Sequence, residues 1–227
     1  MRNETESDNK RTGRPRSENS KDAILSTVRT QLLKEGYARL TVEGVAKKAA
    51  VSKATIYRWW RTKGELVLEA AGNDISIGEV PDTGNSFADL DAAISQLIET
   101  FSRRLASIVI FAAITTASED KVMAEIFRDR FVYPWRKSAA EALDRAKARG
   151  DLTFDDTQFL LDVIVGTVFQ RTLVVKEPIA VGLKEKLLRV VFDSRQIEGI
   201  GDRRELVDRW PADPLLAIHG LRQPDSG

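Results

Sequence analysis

The chemistry this chain can direct at a partner is concentrated in Ser52 to Lys63, SKATIYRWWRTK. Lys53 can donate to guanine O6 and N7, and Ala54 beside it is small enough to touch a thymine methyl. Thr55 and Tyr57 carry hydroxyls, and Trp59 a single indole N–H, that suit phosphate oxygens. Such donors read a polyanion; they do not break bonds. Residues that do are scarce. Cysteine is absent and the one histidine, His219, lies near the C-terminus among proline and glycine. Zinc ligation and Ser-His or Cys-His nucleophilic catalysis therefore lack their constituents. Neither G-x-G-x-x-G nor G-x-x-x-x-G-K-[ST] occurs, and Asp155-Asp156 reads as helix N-terminal charge. These absences argue against an enzyme and suggest no metal and no cofactor.

The donors need a scaffold, and periodicity supplies one. Val42, Val45, Ala46 and Ala49 form an apolar stripe at helical spacing, with Thr41 placed to cap it. After a break at Ala50-Val51, Ser52 caps a second helix whose inner side is Ile56 and Trp60. Two short helices and a tight turn, with Lys53, Thr55, Tyr57, Arg58 and Trp59 facing outward, predict a helix-turn-helix. Thr62 and Glu65 have capping-box spacing for a third start, where Lys63 and the free backbone N–H groups suit a phosphate. An earlier helix from Ser20, with Ile24, Leu25, Val28, Leu32 and Leu33 on one side and Gly36 at its end, is expected to support the pair.

Charge distribution agrees. Lys10 to Lys63 holds 14 Lys/Arg against 4 Asp/Glu, a local excess of +10 within a net charge of +1, so the remainder carries −9. A basic front on an acidic body fits a nucleic-acid binder with a second task. Residues 1–19 read as a flexible basic arm, in which Arg14 and Arg16 are candidates for a narrow minor groove.

Thr41 to Leu66, T-V-x-x-V-A-x-x-A-x-V-S-K-x-T-I-Y-x-W-W-x-x-K-x-E-L, resembles the DNA-binding domain of TetR-type transcriptional regulators. VSKATIYRWW, then Lys63 and Leu66, is the specific part, and the match is close from Ser20 to Ala70. The resemblance implies an all-α homodimer that binds a palindromic operator in double-stranded DNA, most often as a repressor, and answers a small-molecule effector. It implies phosphate contacts for Thr55 and Tyr57, and places Trp59 where that family often has histidine. Thr41, Ser52, Lys53, Ala54 and Lys63 complete the expected DNA-facing set. Two rival readings are a non-specific, nucleoid-type DNA binder and a helical enzyme acting on an anionic substrate.

The expected organisation is the arm, a three-helix helix-turn-helix domain over 20–66, a larger helical ligand-binding and dimerisation domain over 67–195, and a polar tail over 196–227. Helical spacing resumes at Phe87, the nearly uncharged Ser107–Ser118 predicts a buried helix, and Pro134 interrupts a segment running from Asp120 to Arg149. Asp155 and Gln158 have capping-box spacing ahead of Phe159–Val175, and Leu183–Phe192 follows. The last two helices carry more apolar surface than a small domain covers, so Leu160, Ile164, Val168, Leu187 and Val191 are expected at a dimer interface. An effector pocket is expected from Phe101, Phe111, Thr115, Phe131, Trp135, Phe159, Asp162 and Phe169. No run of about 18 apolar residues and no signal peptide is evident, which predicts a cytoplasmic protein without a membrane partner.

Overall fold

The computed structural model describes residues 14–152, 154–176 and 182–192. Among these, every regular element is helical. The head comprises α1 (Arg14–Glu35), α2 (Val42–Lys48), α3 (Lys53–Tyr57) and α4 (Lys63–Ala70). A short α5 (Gly72–Ile75) leads to a body of α6 (Ser86–Ser102), α7 (Arg104–Thr115), α8 (Lys121–Phe127), α9 (Tyr133–Ala148), α10 (Thr157–Phe169) and α11 (Leu183–Phe192). Helix α6 is the central one, packing against α7, α9, α10 and α11.

Helix α1 begins at Arg14, earlier than Ser20, so Arg14 and Arg16 lie in the first turn of a helix and not in a flexible arm. Pro15 is tolerated there because a first-turn N–H has no partner in the helix anyway. The 196–227 tail, His219 and the rest of the arm lie outside the described residues.

The caps of the head follow the sequence closely. Thr41 Oγ1 accepts from the Gly44 N–H and Ser52 Oγ from the Thr55 N–H, each at 3.1 Å. Thr62 Oγ1 accepts from the Glu65 N–H at 3.1 Å, while the Glu65 carboxylate reaches back to the Arg61 N–H at 2.6 Å. Between α2 and α3 the chain turns at Ala50, whose φ of +53° is left-handed. The Val51 N–H donates to the Ala46 carbonyl at 3.0 Å and the Ala50 N–H to that of Lys47 at 3.4 Å, a Schellman ending built without its usual glycine.

In the body, the interruption expected at Pro134 takes another form. Helix α8 runs into α9 through a π-helical turn, Arg128–Val132, just before the proline. Proline lacks the N–H that would extend the preceding ladder, and a wider turn accommodates its ring without ending the rod. A second π-helical stretch, Gln170–Val175, continues α10. Helix α10 is capped by Asp156, which accepts from the Phe159 N–H at 2.9 Å, one residue later than Asp155. The nearly uncharged stretch from Ser107, most of it in α7, is only partly buried: Phe111 and Ile114 are 44% and 43% exposed.

The expected dimer residues also need correction. Leu160, Ile164, Val168, Leu187 and Val191 are all buried in the protomer's own core. The most apolar stripe of each helix faces α6, because burying it inside one chain comes first. What α10 leaves outside is a different stripe: Phe159, Gly166, Gln170 and Val174 are exposed and Val163 half-buried. Thr157–Val175 is long and apolar enough, by length and composition, to cross a membrane, yet only 28% of its apolar window is buried in the protomer.

The segment between α5 and α6 is pinned to α9 by charge. Asp89, 1% exposed, accepts from the Thr83 N–H at 2.9 Å and the Thr83 hydroxyl at 2.7 Å, and lies 3.7 Å from Arg149. Arg149 and Arg145 both reach Asp82, at 2.9 and 3.3 Å. Burial pushes the Asp89 carboxyl up, but the Thr83 bonds and the two arginines outweigh it and hold the group below its ordinary value. A carboxyl depressed on folding stabilises above its unfolded pKa, and that stability is lost as pH falls through the folded value. Asp89→Ala is therefore expected to destabilise the body by about 2–4 kcal/mol at pH 7. In urea titrations at pH 7 and pH 3, the gap between wild type and variant should narrow at the lower pH; an equal gap at both counts against the assignment.

Candidate nucleic-acid interface

The five residues of α3 present their donors from a firmly held base. Ile56 and Trp60 are 1% and 2% exposed, while Ser52, Lys53, Ala54, Tyr57, Arg58 and Trp59 face solvent and Thr55 is half-buried. Thr55 Oγ1 and Ser52 Oγ lie 2.9 Å apart, so both hydroxyls are engaged at the cap. Trp60 donates its indole N–H to Glu69 of α4 at 2.7 Å. Burial pushes the Glu69 carboxyl up, but bonds from Lys21 and Trp60 hold it below its ordinary value.

Lys53 is not free. Its ammonium lies 3.0 Å from Glu43, in the first turn of α2, and both side chains are mostly exposed. The hydrogen bond, assisted by the opposite charges, holds the Glu43 carboxyl below and the Lys53 ammonium above their ordinary values. Glu43 is the sole carboxylate between Glu35 and Glu65. Sequence reading missed it because, in a basic stretch, one acid disappears into the sum.

Two lysines of the basic front point inward. Lys21 pairs with Glu69 at 2.6 Å and lies 5.3 Å from the centre of the Trp59 ring. Lys63 donates to the Tyr37 carbonyl at 3.3 Å and sits 3.9 Å over that ring. Burial lowers the Lys63 pKa, partly offset by the charge of Asp120. Its ammonium thus ties the start of α4 to the turn after α1, leaving the N-terminal N–H groups of α4 as the candidate anion contact there. Trp59 is 39% exposed, with the Arg58 guanidinium 5.7 Å from its ring centre.

The body holds a separate pocket, partly open to solvent. Of the expected lining, Phe101, Phe131 and Trp135 are present, joined by Ile75, Ile77, Leu97, Thr100, Ile110, Phe127, Val132, Arg136 and Val165. Phe111, Thr115 and Phe159 are exposed elsewhere, Phe169 packs against the core, and Asp162 touches the rim only through its 2.9 Å pair with Arg136. Ile75 and Ile77 follow a glycine in a stretch without helical periodicity, so nothing local marks them.

A capped helix pair with an exposed, donor-rich second helix, joined to an all-helical body with its own cavity, defines a helix-turn-helix DNA-binding regulator. A family profile described as bacterial regulatory proteins, tetR family, matches residues 24–70, and one described as tetracyclin repressor-like, C-terminal domain, matches residues 80–191. The chain is 35% identical to the HTH-type transcriptional regulator YdeS of Bacillus subtilis, over 71% of this chain and 82% of that protein. It is 32% identical to the DNA-binding transcriptional repressor TetR of Mycobacteroides abscessus, over 65% of this chain and 79% of that protein. The crystal structure of the TetR family transcription regulator SCO0332 matches with a TM-score of 0.55 at 31% identity, covering 81% of this chain and 100% of that one. The chain belongs to the TetR family of transcriptional regulators.

The Lys53–Glu43 pair leads to a test. Glu43→Gln removes a negative charge from the candidate DNA-binding surface and frees the lysine, so affinity for random duplex should rise and the salt slope should steepen by about one unit. Lys53→Ala should lower operator affinity more than random affinity, since lysine can distinguish guanine. Fluorescence anisotropy across a salt series measures both; equal losses on the two DNAs for Lys53→Ala would remove base reading from that residue.

Proposed function

We propose that this protein is an effector-responsive repressor that binds a palindromic operator as a homodimer in the bacterial cytoplasm. The observation that carries the reading is the unburied outer stripe of α10, from Phe159 through Gly166 to Val174, on a helix this apolar. A second copy related by a two-fold axis would cover the stripe and set two α3 helices facing successive major grooves. Gly166 favours it further: a methyl added there meets nothing within 4 Å, so the position is open to a partner's close approach. The relative named as a repressor supports repression as the sign of the response.

Effector response would run from the body pocket to the head. Ile75 and Ile77, in the pocket wall, follow directly on α4 and α5, while Phe127, Phe131 and Val132 come from the end of α8 and its π turn. The start of α8 packs on Gly64 of α4, where an added Cβ would lie 2.5 Å from the Met123 Cβ. A ligand that favours one seating of α4 shifts the spacing of the two heads, by no more than its differential affinity for the two arrangements.

Selection of duplexes from a random pool at about 150 mM salt, where phosphate binding alone is already weakened, should enrich an inverted repeat. Gly166→Arg should yield a folded monomer by sedimentation, with its Tm nearly unchanged and its hold on the repeat lost. A dimeric Gly166→Arg protein, or a selection with no repeat, would defeat the proposal. Gly64→Ala, which lies outside the pocket lining, should change both operator affinity, by at least threefold, and effector response; unaltered affinity and effector response would exclude the α4–α8 contact as the link.

A further inference from the structure

The body pocket also carries information about what fills it, an inference that rests on the proposal that it takes an effector. Its walls are hydrocarbon and aromatic, with Phe101, Phe127, Phe131 and Trp135 among them. Two features then set polarity. The first is Arg136, the one charged residue of the lining among the described residues, whose Nη2 lies 2.9 Å from Asp162 and 3.4 Å from Gln158 on α10. Its charge is met by a carboxylate before any ligand arrives. The second is Trp135, 4% exposed, whose indole Nε1–H has no hydrogen-bond partner. A buried donor left unpaired is costly, and an acceptor brought by a ligand removes that cost.

We propose that the pocket takes an uncharged, largely aromatic molecule bearing one hydrogen-bond acceptor, received by the Trp135 N–H, and that it rejects organic anions. An anion would have to leave water for apolar walls, and Arg136 could meet it only by abandoning Asp162. A neutral carbonyl or ether loses little on entry and gains the indole. Stacking on the Phe127 and Phe131 rings, 6.2 Å apart between centres, favours a flat ligand.

Three probes of one shape separate the terms: acetylnaphthalene, with a neutral acceptor; ethylnaphthalene, with none; and naphthoate, with a charge. Calorimetry on the full chain should show acetylnaphthalene binding about tenfold tighter than ethylnaphthalene, the scale of one hydrogen bond to an otherwise unpaired buried donor. Naphthoate should bind at least as weakly as ethylnaphthalene. Trp135→Phe should make the two neutral probes equal while leaving ethylnaphthalene within about threefold of wild type, and the indole resonance lost in that variant should be the one that moves on adding the ketone. Arg136→Gln should leave the ketone preference intact, which keeps the test decisive if Trp135→Phe folds poorly. Naphthoate binding as tightly as the ketone, a ketone preference that survives Trp135→Phe, or no binding of either neutral probe overturns the proposal. Operator release is read separately. A ketone that binds as described without weakening DNA affinity upholds the ligand class and removes the effector response; naphthoate that releases DNA does the reverse.

Discussion

The fold depends on keeping a helix of five residues in place. An isolated helix shorter than about 12 residues is marginal in water, so α3 cannot hold its own shape. It is held from below by Ile56 and Trp60, both almost fully buried, and the Trp60 N–H is tied to Glu69 on α4. The outward donors therefore take their direction from a neighbour. Arg29 adds a second tie, its Nε donating to the Ala70 carbonyl at the end of α4. Whatever moves α4 moves the donor-rich face of α3.

That dependence explains why the basic front divides into two kinds of charge. Lys47, Lys48, Lys53, Arg58 and Arg61 are exposed, whereas Lys21 and Lys63 turn inward onto Glu69 and Tyr37. The outward set supplies long-range attraction for a polyanion, and salt screens it. The inward pair works at short range and partly out of water, where screening is weaker. Burial of the Tyr37 phenol raises its pKa by the same physics that lowers that of Lys63, since each disfavours its charged form; the charge of Asp120 adds to the shift of Tyr37 and opposes that of Lys63. The Tyr37–Lys63–Asp120 cluster thus joins α1, α4 and the body, in a stretch that a charge count treats as uniform.

Much of the head was legible because its signals are local. Thr41, Ser52 and Thr62 each cap the helix that the sequence assigns them, since a cap needs only the next three residues. The body was legible as helices but not as a site. Pocket walls come from six helices, the π turn and the segment after α5, and Ile75 and Ile77 carry no periodicity of their own. The outer face of α10 was misread for a related reason. Two stripes of one apolar helix compete for burial, and sequence ranks Leu160, Ile164 and Val168 first for either role. The core takes them, which leaves Phe159, Val163, Gly166 and Val174 outside. Pro134 was seen as a break because a proline removes a ladder bond; that a π turn can absorb it depends on neighbours packed around the rod.

The π turn also bears on how a signal could travel. At its head end, α8 meets α4 through Gly64, a contact close enough that one added carbon would lie within van der Waals distance of both Met123 and Asp120. The Met123 Cβ is fixed to the backbone of α8, so a close-packed contact of that kind leaves little room for one helix to shift without the other. At the pocket end, Phe131 and Val132 stand in a stretch already departing from α-helical geometry, directly before a residue with no N–H to give. A π turn can revert to α geometry by shifting one residue's register, which rotates and advances what precedes it. The rod thus departs from α geometry at the pocket wall and is packed most closely at the head, so the proposed effector response would have to pass from the π turn along α8 to its contact with α4.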